Sequence, residues 1–212
     1  ADARKLAAGG NLAQRAWRLA GVRADEEFAA FRTLRVGFVA VDGVKLRITT
    51  TKGKAESARY ALEATAQILH YYNDYFGIPY PLLKLDQLAI PGGFGGAMEN
   101  WGGITYYETA LLFDPANSSA ATKQTVYEVI AHEVAHQWFG DLVTMAWWDN
   151  LWLNEGFASW MGTKCTARFN PQWEVWLQKS LPRDPTRRTG IVKEQAMEGD
   201  AHVTTHAIQQ KI

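Results

Sequence analysis

The segment His132-Glu133-Val134-Ala135-His136 constrains this chain more than any other. On an α-helix two histidines four residues apart lie about 40° apart around the axis and about 6 Å apart along it, so both imidazoles reach one ion. Glu133 falls about 60° from His136, close enough to address a water at that ion without being a ligand. The neighbouring residues Val126, Val129, Ile130, Val134 and Phe139 are apolar, which predicts a helix over residues 118–139, closed by Gly140 and buried deeply enough to hold the ligands still.

Zinc chemistry calls for a third protein ligand and a position left for water. Glu155 stands 19 residues after His136, in Asp149-Asn150-Leu151-Trp152-Leu153-Asn154-Glu155-Gly156-Phe157. That spacing suits the end of one helix, a connection of about ten residues, and the first turns of a returning helix over 149–169. Two neutral imidazoles and one carboxylate leave the ion positively charged, so water there can ionise near neutral pH.

The rest of the chain reads as a mixed α+β fold. Residues 36–51 alternate apolar and polar around Asp42-Gly43, which predicts a hairpin with a two-residue turn. Apolar residues from Tyr60 to Phe76 recur at helical spacing, and Gly77, Pro79 and Pro81 end the run. Strands are expected at 85–90 and 103–107, on either side of the glycine-rich loop Pro91-Gly92-Gly93-Phe94-Gly95-Gly96. Residues 1–35 have no clear pattern.

Composition excludes other classes. With 22 Lys and Arg against 22 Asp and Glu, the chain lacks the basic excess that nucleic-acid binding requires, and Arg183, Arg187 and Arg188 read as a solvated loop. No run approaches the length of a membrane-spanning helix, and the first ten residues lack a signal-peptide core, which favours a soluble, cytoplasmic protein. The single cysteine, Cys165, reads as a small buried apolar residue, and His70 as a helix-surface residue.

Gly96-Ala97-Met98-Glu99-Asn100-Trp101, followed by the histidine motif and by Glu155 in Asn-Glu-Gly-Phe-Ala, resembles the gluzincin zinc aminopeptidases of the aminopeptidase N type. The resemblance covers roughly residues 52–196. It implies a thermolysin-like catalytic domain, a small β-sheet lobe followed by a mostly helical lobe, with one zinc per chain between two helices. His132, His136 and Glu155 would bind the zinc, Glu133 would act as general base and acid, and Glu99 would bind the substrate's free α-amine. Gly95, Gly96, Ala97, Met98 and Asn100 would line the peptide's path. The expected substrates are peptides with a free N-terminus. Residues 1–51 would be the remnant of a preceding β-rich domain, and 52–212 a C-terminally incomplete catalytic domain.

One departure stands out. In the family a tyrosine several dozen residues beyond the glutamate ligand stabilises the oxyanion, and here no tyrosine follows Glu155. The family's large C-terminal helical domain is also missing, so a weakly active zinc-binding fragment is an alternative expectation. An aminopeptidase with epoxide hydrolase activity is a second, since it shares these motifs. A thermolysin-type endopeptidase fits less well, because Glu99 would serve an amine that such an enzyme does not read. His202 and His206 are expected in a loop, where the family's His-Pro is replaced by His206-Ala207. Trp138, Trp147, Trp148, Trp152 and Trp160 bracket the ligand helices and are expected to pack behind the zinc.

Overall fold

The computed structural model describes residues 34–92 and 96–178. The expectations for residues 1–33, Gly95, Arg183 to Arg188, His202 and His206 lie outside them. Strands β1 (Leu34–Val41) and β2 (Val44–Thr50) form the predicted hairpin. Asp42 and Gly43 take φ of 50° and 80°, the left-handed pair that a two-residue turn needs to match strand twist. Along β2 Val44, Leu46, Ile48 and Thr50 are buried while the residues between them face outward, the period-two pattern of a half-covered sheet.

Helix α1 (Arg59–Phe76) crosses from β2 to β3 (Lys84–Ile90). It buries Ala61, Leu62, Thr65, Ile68, Leu69 and Tyr72, and it stops at Gly77, whose φ of 62° lets its N–H close back on Asn73 O. The long crossover lets β2 and β3 pair in parallel. Strands β4 (Ala97–Met98) and β5 (Gly103–Tyr107) complete a five-stranded mixed sheet of order β1-β2-β3-β5-β4. The sheet therefore runs continuously from the hairpin into the later strands. It leaves β4 at the edge, beside the helices.

The helical half follows. Short α2 (Glu108–Leu111) leads to α3 (Ala120–His136), whose first turn is capped by Ser119 Oγ accepting from the Thr122 amide. After a 3₁₀ turn at Trp148–Asn150 come α4 (Trp152–Phe169) and α5 (Val175–Gln178). Both long helices are shorter than their periodicity predicted. The chain tightens after His136, with the Gln137 amide reaching Val134 O, and Gly140 at φ 122° turns it back so that its own N–H reaches Val143 O. Gly162 lets α4 approach α3 closely, since a Cβ there would lie 3.0 Å from the His132 backbone nitrogen.

The tryptophan expectation needs correction. Trp138 is buried, donates from Nε1 to Ile78 O at 2.8 Å, and meets Tyr72 edge-on and Phe76 and Tyr80 at a tilt. Trp147, Trp148, Trp152 and Trp160 are instead exposed. The face of α4 that meets α3 is taken by Ala158, Met161 and Cys165, small or flexible side chains that permit the close approach. Trp152 and Trp160 are left on the other faces of α4, and Trp147 and Trp148 lie in the connection before it. Cys165 is buried as expected, and burial pushes its thiol up to about 12.

Candidate metal centre

Two helices and one strand edge meet at the site. His132 and His136 project from the last turns of α3, and Glu155 from the first turn of α4. His132 Nε2 lies 3.0 Å from His136 Nε2 and 3.4 Å from Glu155 Oε2, and His136 Nε2 lies 3.6 Å from the same oxygen. Ligands held about 2.0–2.1 Å from a tetrahedral zinc stand about 3.3 Å from one another. The three side chains thus outline one face of such a tetrahedron.

The outer ring nitrogens explain why Nε2 is offered inward. His136 Nδ1 faces two oxygens, Asn154 Oδ1 at 2.6 Å and Phe139 O at 3.0 Å. Both can only accept, so Nδ1 keeps its proton and Nε2 is the nitrogen that can give up its own to a metal. His132 Nδ1 has Ser159 Oγ at 3.4 Å. Burial works against charge on His136, but contact with Glu155, together with Glu99 and Phe139 O, outweighs it and raises the pKa to about 9. His132 and His136 hold the Glu155 carboxyl well below its usual range.

Glu133 is buried between the ligands, and its Oε2 has no hydrogen-bond partner among the described residues. Burial pushes its pKa up to about 8, with Glu99, Glu155 and Asp141 adding and His136 opposing. The unpartnered, buried Glu133 carboxyl oxygen, beside two imidazoles and the Glu155 carboxylate, is an arrangement that a bound cation relieves. The donor set therefore fits zinc.

Glu99 reaches the same centre from the turn after β4. Its Oε1 accepts from Asn154 Nδ2 at 3.3 Å and lies 4.0 Å from His136 Nδ1. Gln137, fully buried, ties that turn to α3. Its Nε2 donates to Glu99 O and to Asp141 Oδ2, both at 2.8 Å, and its Oε1 accepts from the Gly102 amide at 3.0 Å. Burial and the nearby Glu99 push the Asp141 carboxyl up to about 7, against the pull of His136.

The remaining expected residues have defined places. Gly96, at φ 78°, receives the Tyr107 amide on its carbonyl. Ala97 and Met98 form β4 against Tyr106 and Thr105, with Met98 exposed. Asn100 turns its amide toward Thr105 Oγ1 at 3.2 Å, which braces the turn. Sequence reasoning passed over Asn154, Gln137 and Asp141. Their signal was adjacency, because Gln137 follows a predicted ligand and Asn154 precedes one, and ligand neighbours commonly supply the orienting hydrogen bonds.

Residues 60–212 match the peptidase family M1 domain. The chain belongs to peptidase family M1. This M1 chain is 60% identical to aminopeptidase N of Acetobacter pasteurianus over 121 residues, 57% of its own length and 34% of the relative's. It is 53% identical to aminopeptidase M1-A of Oryza sativa subsp. japonica over 137 residues, 65% of its length and 16% of the relative's. It is 50% identical to endoplasmic reticulum aminopeptidase 1 of Homo sapiens over 140 residues, 66% and 15% respectively. The M1 chain thus aligns to about a third or less of these relatives, and the residues matched to the family domain contain the sheet edge and both ligand helices.

Proposed function

We propose that this chain is the catalytic core of a zinc aminopeptidase, which removes the first residue from peptides with a free N-terminus. The observation that carries the reading is the convergence of His132, His136 and Glu155 at tetrahedral spacing with Glu99 held 4.0 Å from His136. Zinc bound by those three residues would supply Lewis acidity and bring the pKa of a water toward about 7.

The chain's own groups do the rest. Glu99 accepts hydrogen bonds from the protonated α-amine, a charge-assisted contact that an internal or blocked peptide bond cannot make. Glu133 takes the proton of the attacking water and passes it to the leaving amine. Met98, Ala97 and Gly96 offer the peptide an edge to lie along, and Asn100 holds the turn that aims Glu99. On this proposal residues 52–212 form the catalytic unit, and β2, the last strand of residues 1–51, joins its sheet.

A peptide offered with its amine free and with its amine acetylated tests the reading. Release of the first residue from the free form alone is the expected result, and cleavage of the acetylated form would point to an endopeptidase.

A further inference from the structure

Among the described residues four tyrosines are buried, and three of them place their hydroxyls. Tyr72 donates to Ala131 O at 2.7 Å, Tyr127 to Gln67 Oε1 at 2.8 Å and Tyr80 to Lys84 O at 3.2 Å. The fourth, Tyr106 on β5, is fully buried, and its hydroxyl has no hydrogen-bond partner among the described residues. Phenylalanine would fill the same space without an unpaired polar atom, so the hydroxyl costs stability unless something takes it up.

The sheet brings that hydroxyl to the proposed base. Ile104 and Tyr106 alternate onto one face of β5 and join the core that holds Val126, Ile130 and Val134 of α3. The register partners of Tyr106 are Ala89 on β3 and Ala97 on β4, two methyl groups that leave its ring room between sheet and helix. Ala97 and Glu133 share the wall of a cavity of about 360 Å³ that opens beside His132. Tyr106 does not line that cavity and meets α3 from behind its wall. Burial keeps the phenol well above its ordinary value, and the Glu133 charge raises it further. Glu133 is itself buried, and its Oε2 likewise lacks a partner. One of these atoms belongs to a donor and the other is an acceptor, and a carboxyl turns about its terminal torsion at little cost.

We propose that Tyr106 is a positioning residue for Glu133: its hydroxyl donates to Glu133 Oε2, directly or across one water, and leaves the other carboxyl oxygen for the water at the metal ligands. This deepens the aminopeptidase reading and rests on it. A carboxyl fixed at one oxygen presents the other at a constant angle, which serves a group that must take a proton and then return it.

Tyr106→Phe keeps the ring and removes the hydroxyl. In the zinc-loaded chain it is expected to lower kcat on a free-amine peptide about tenfold, with KM and zinc content unchanged and Tm within about 2 °C. In the Glu133→Gln background the same change should alter the residual kcat by less than about twofold, because the two residues act as a unit. Fluorine NMR of the chain labelled with 3-fluorotyrosine gives a readout without turnover. The resonance that Tyr106→Phe removes is expected to move with Glu133→Gln and to stay in place with Glu99→Gln, which changes a charge in the same site. An unchanged kcat in Tyr106→Phe, a loss that adds in full to that of Glu133→Gln, or a Tyr106 resonance that ignores Glu133→Gln would overturn the proposal. A Tm lower by several degrees would overturn it too, in favour of a hydroxyl that serves the core alone. Absence of turnover in the unsubstituted chain, or equal cleavage of an acetylated peptide, would instead count against the aminopeptidase reading, and the fluorine comparison would still decide whether Tyr106 and Glu133 are joined.

Discussion

Oδ1 of Asn154 lies 2.6 Å from Nδ1 of His136, while Nδ2 of the same amide reaches Glu99 Oε1 at 3.3 Å. One side chain therefore sets the tautomer of a metal ligand and the position of the carboxylate proposed to read the substrate's amine. Gly140 makes room for it, since a Cβ there would fall 2.2 Å from Asn154 Oδ1. The two functions are mechanically joined at this residue.

Replacing Asn154 should divide them. Asn154→Ala is expected to weaken zinc binding about 10- to 100-fold, measured by competition with a chelator. Asn154→Asp keeps an acceptor for His136 but sets a second carboxylate against Glu99, so zinc should be retained while KM for free-amine peptides rises. Equal zinc loss in both variants would mean that Asn154 serves the metal alone.

Ligand and base should also separate. His132→Ala and Glu155→Ala each remove one of three donors, and metal analysis after dialysis should find the chain emptied. Glu133→Gln should keep its zinc and lose about 10²- to 10⁴-fold in kcat. Retention of zinc by Glu155→Ala would place the third ligand elsewhere.

Gln137 satisfies buried groups on three segments, so its loss should be felt in stability before chemistry. Gln137→Ala leaves the Gly102 amide and the Glu99 carbonyl without their partners, at an expected cost of about 2–4 kcal/mol in urea unfolding. A loss under about 0.5 kcal/mol would show that water replaces the amide.

The hairpin tip gives a pH signature away from the site. Asp42 accepts from Asn73 Nδ2 at 2.8 Å and lies 3.0 Å from His70 Nδ1. Those contacts, Asn73 first and then His70, lower the Asp42 pKa, and Asp42 raises that of His70. His70 contributes stability that is full below its unfolded value near 6.5 and fades as pH rises through the higher folded value. Asp42 contributes stability that is full above its unfolded value near 3.8 and fades as pH falls through the lower folded value. The link is therefore strongest between about pH 4 and 6.5. His70→Gln should lower Tm in that window, and the difference should vanish near pH 9; a pH-independent difference would exclude the ionic contribution.

Local spacing explains why so much of this site could be read early. Residues four apart on a helix share a face whatever surrounds them, so His132 and His136 converge by covalent geometry alone. Asp42-Gly43 and Gly77 mark places where the backbone must turn left-handed, and those signals are equally local. The end of α3 and the start of α4 differ from expectation because apolar periodicity continues through Trp138 and Phe139 where the Gln137 and Trp138 amides already bond three residues back, and because Asp149 and Asn150 form a 3₁₀ turn before α4 begins. Four of the tryptophans near the ligand helices were misplaced for a related reason. Hydrophobicity says that a side chain favours burial, but the close contact at Gly162 decided which faces were available.

Sequence by itself singled out His132, His136 and Glu155 as the candidate metal-binding set, and it determined the hairpin and the peptidase family M1 character, since each depends on residue type at short or fixed separation. Tertiary structure decided how those parts act on one another. Asn154 reaches Glu99 across 55 residues and His136 across 18, and Gln137 joins the end of α3 to the turn carrying Glu99 across 38. Such contacts arise only when the sheet edge packs against the helices, because hydrogen bonds of a few ångströms between distant segments are fixed by packing and leave no periodic trace along the chain.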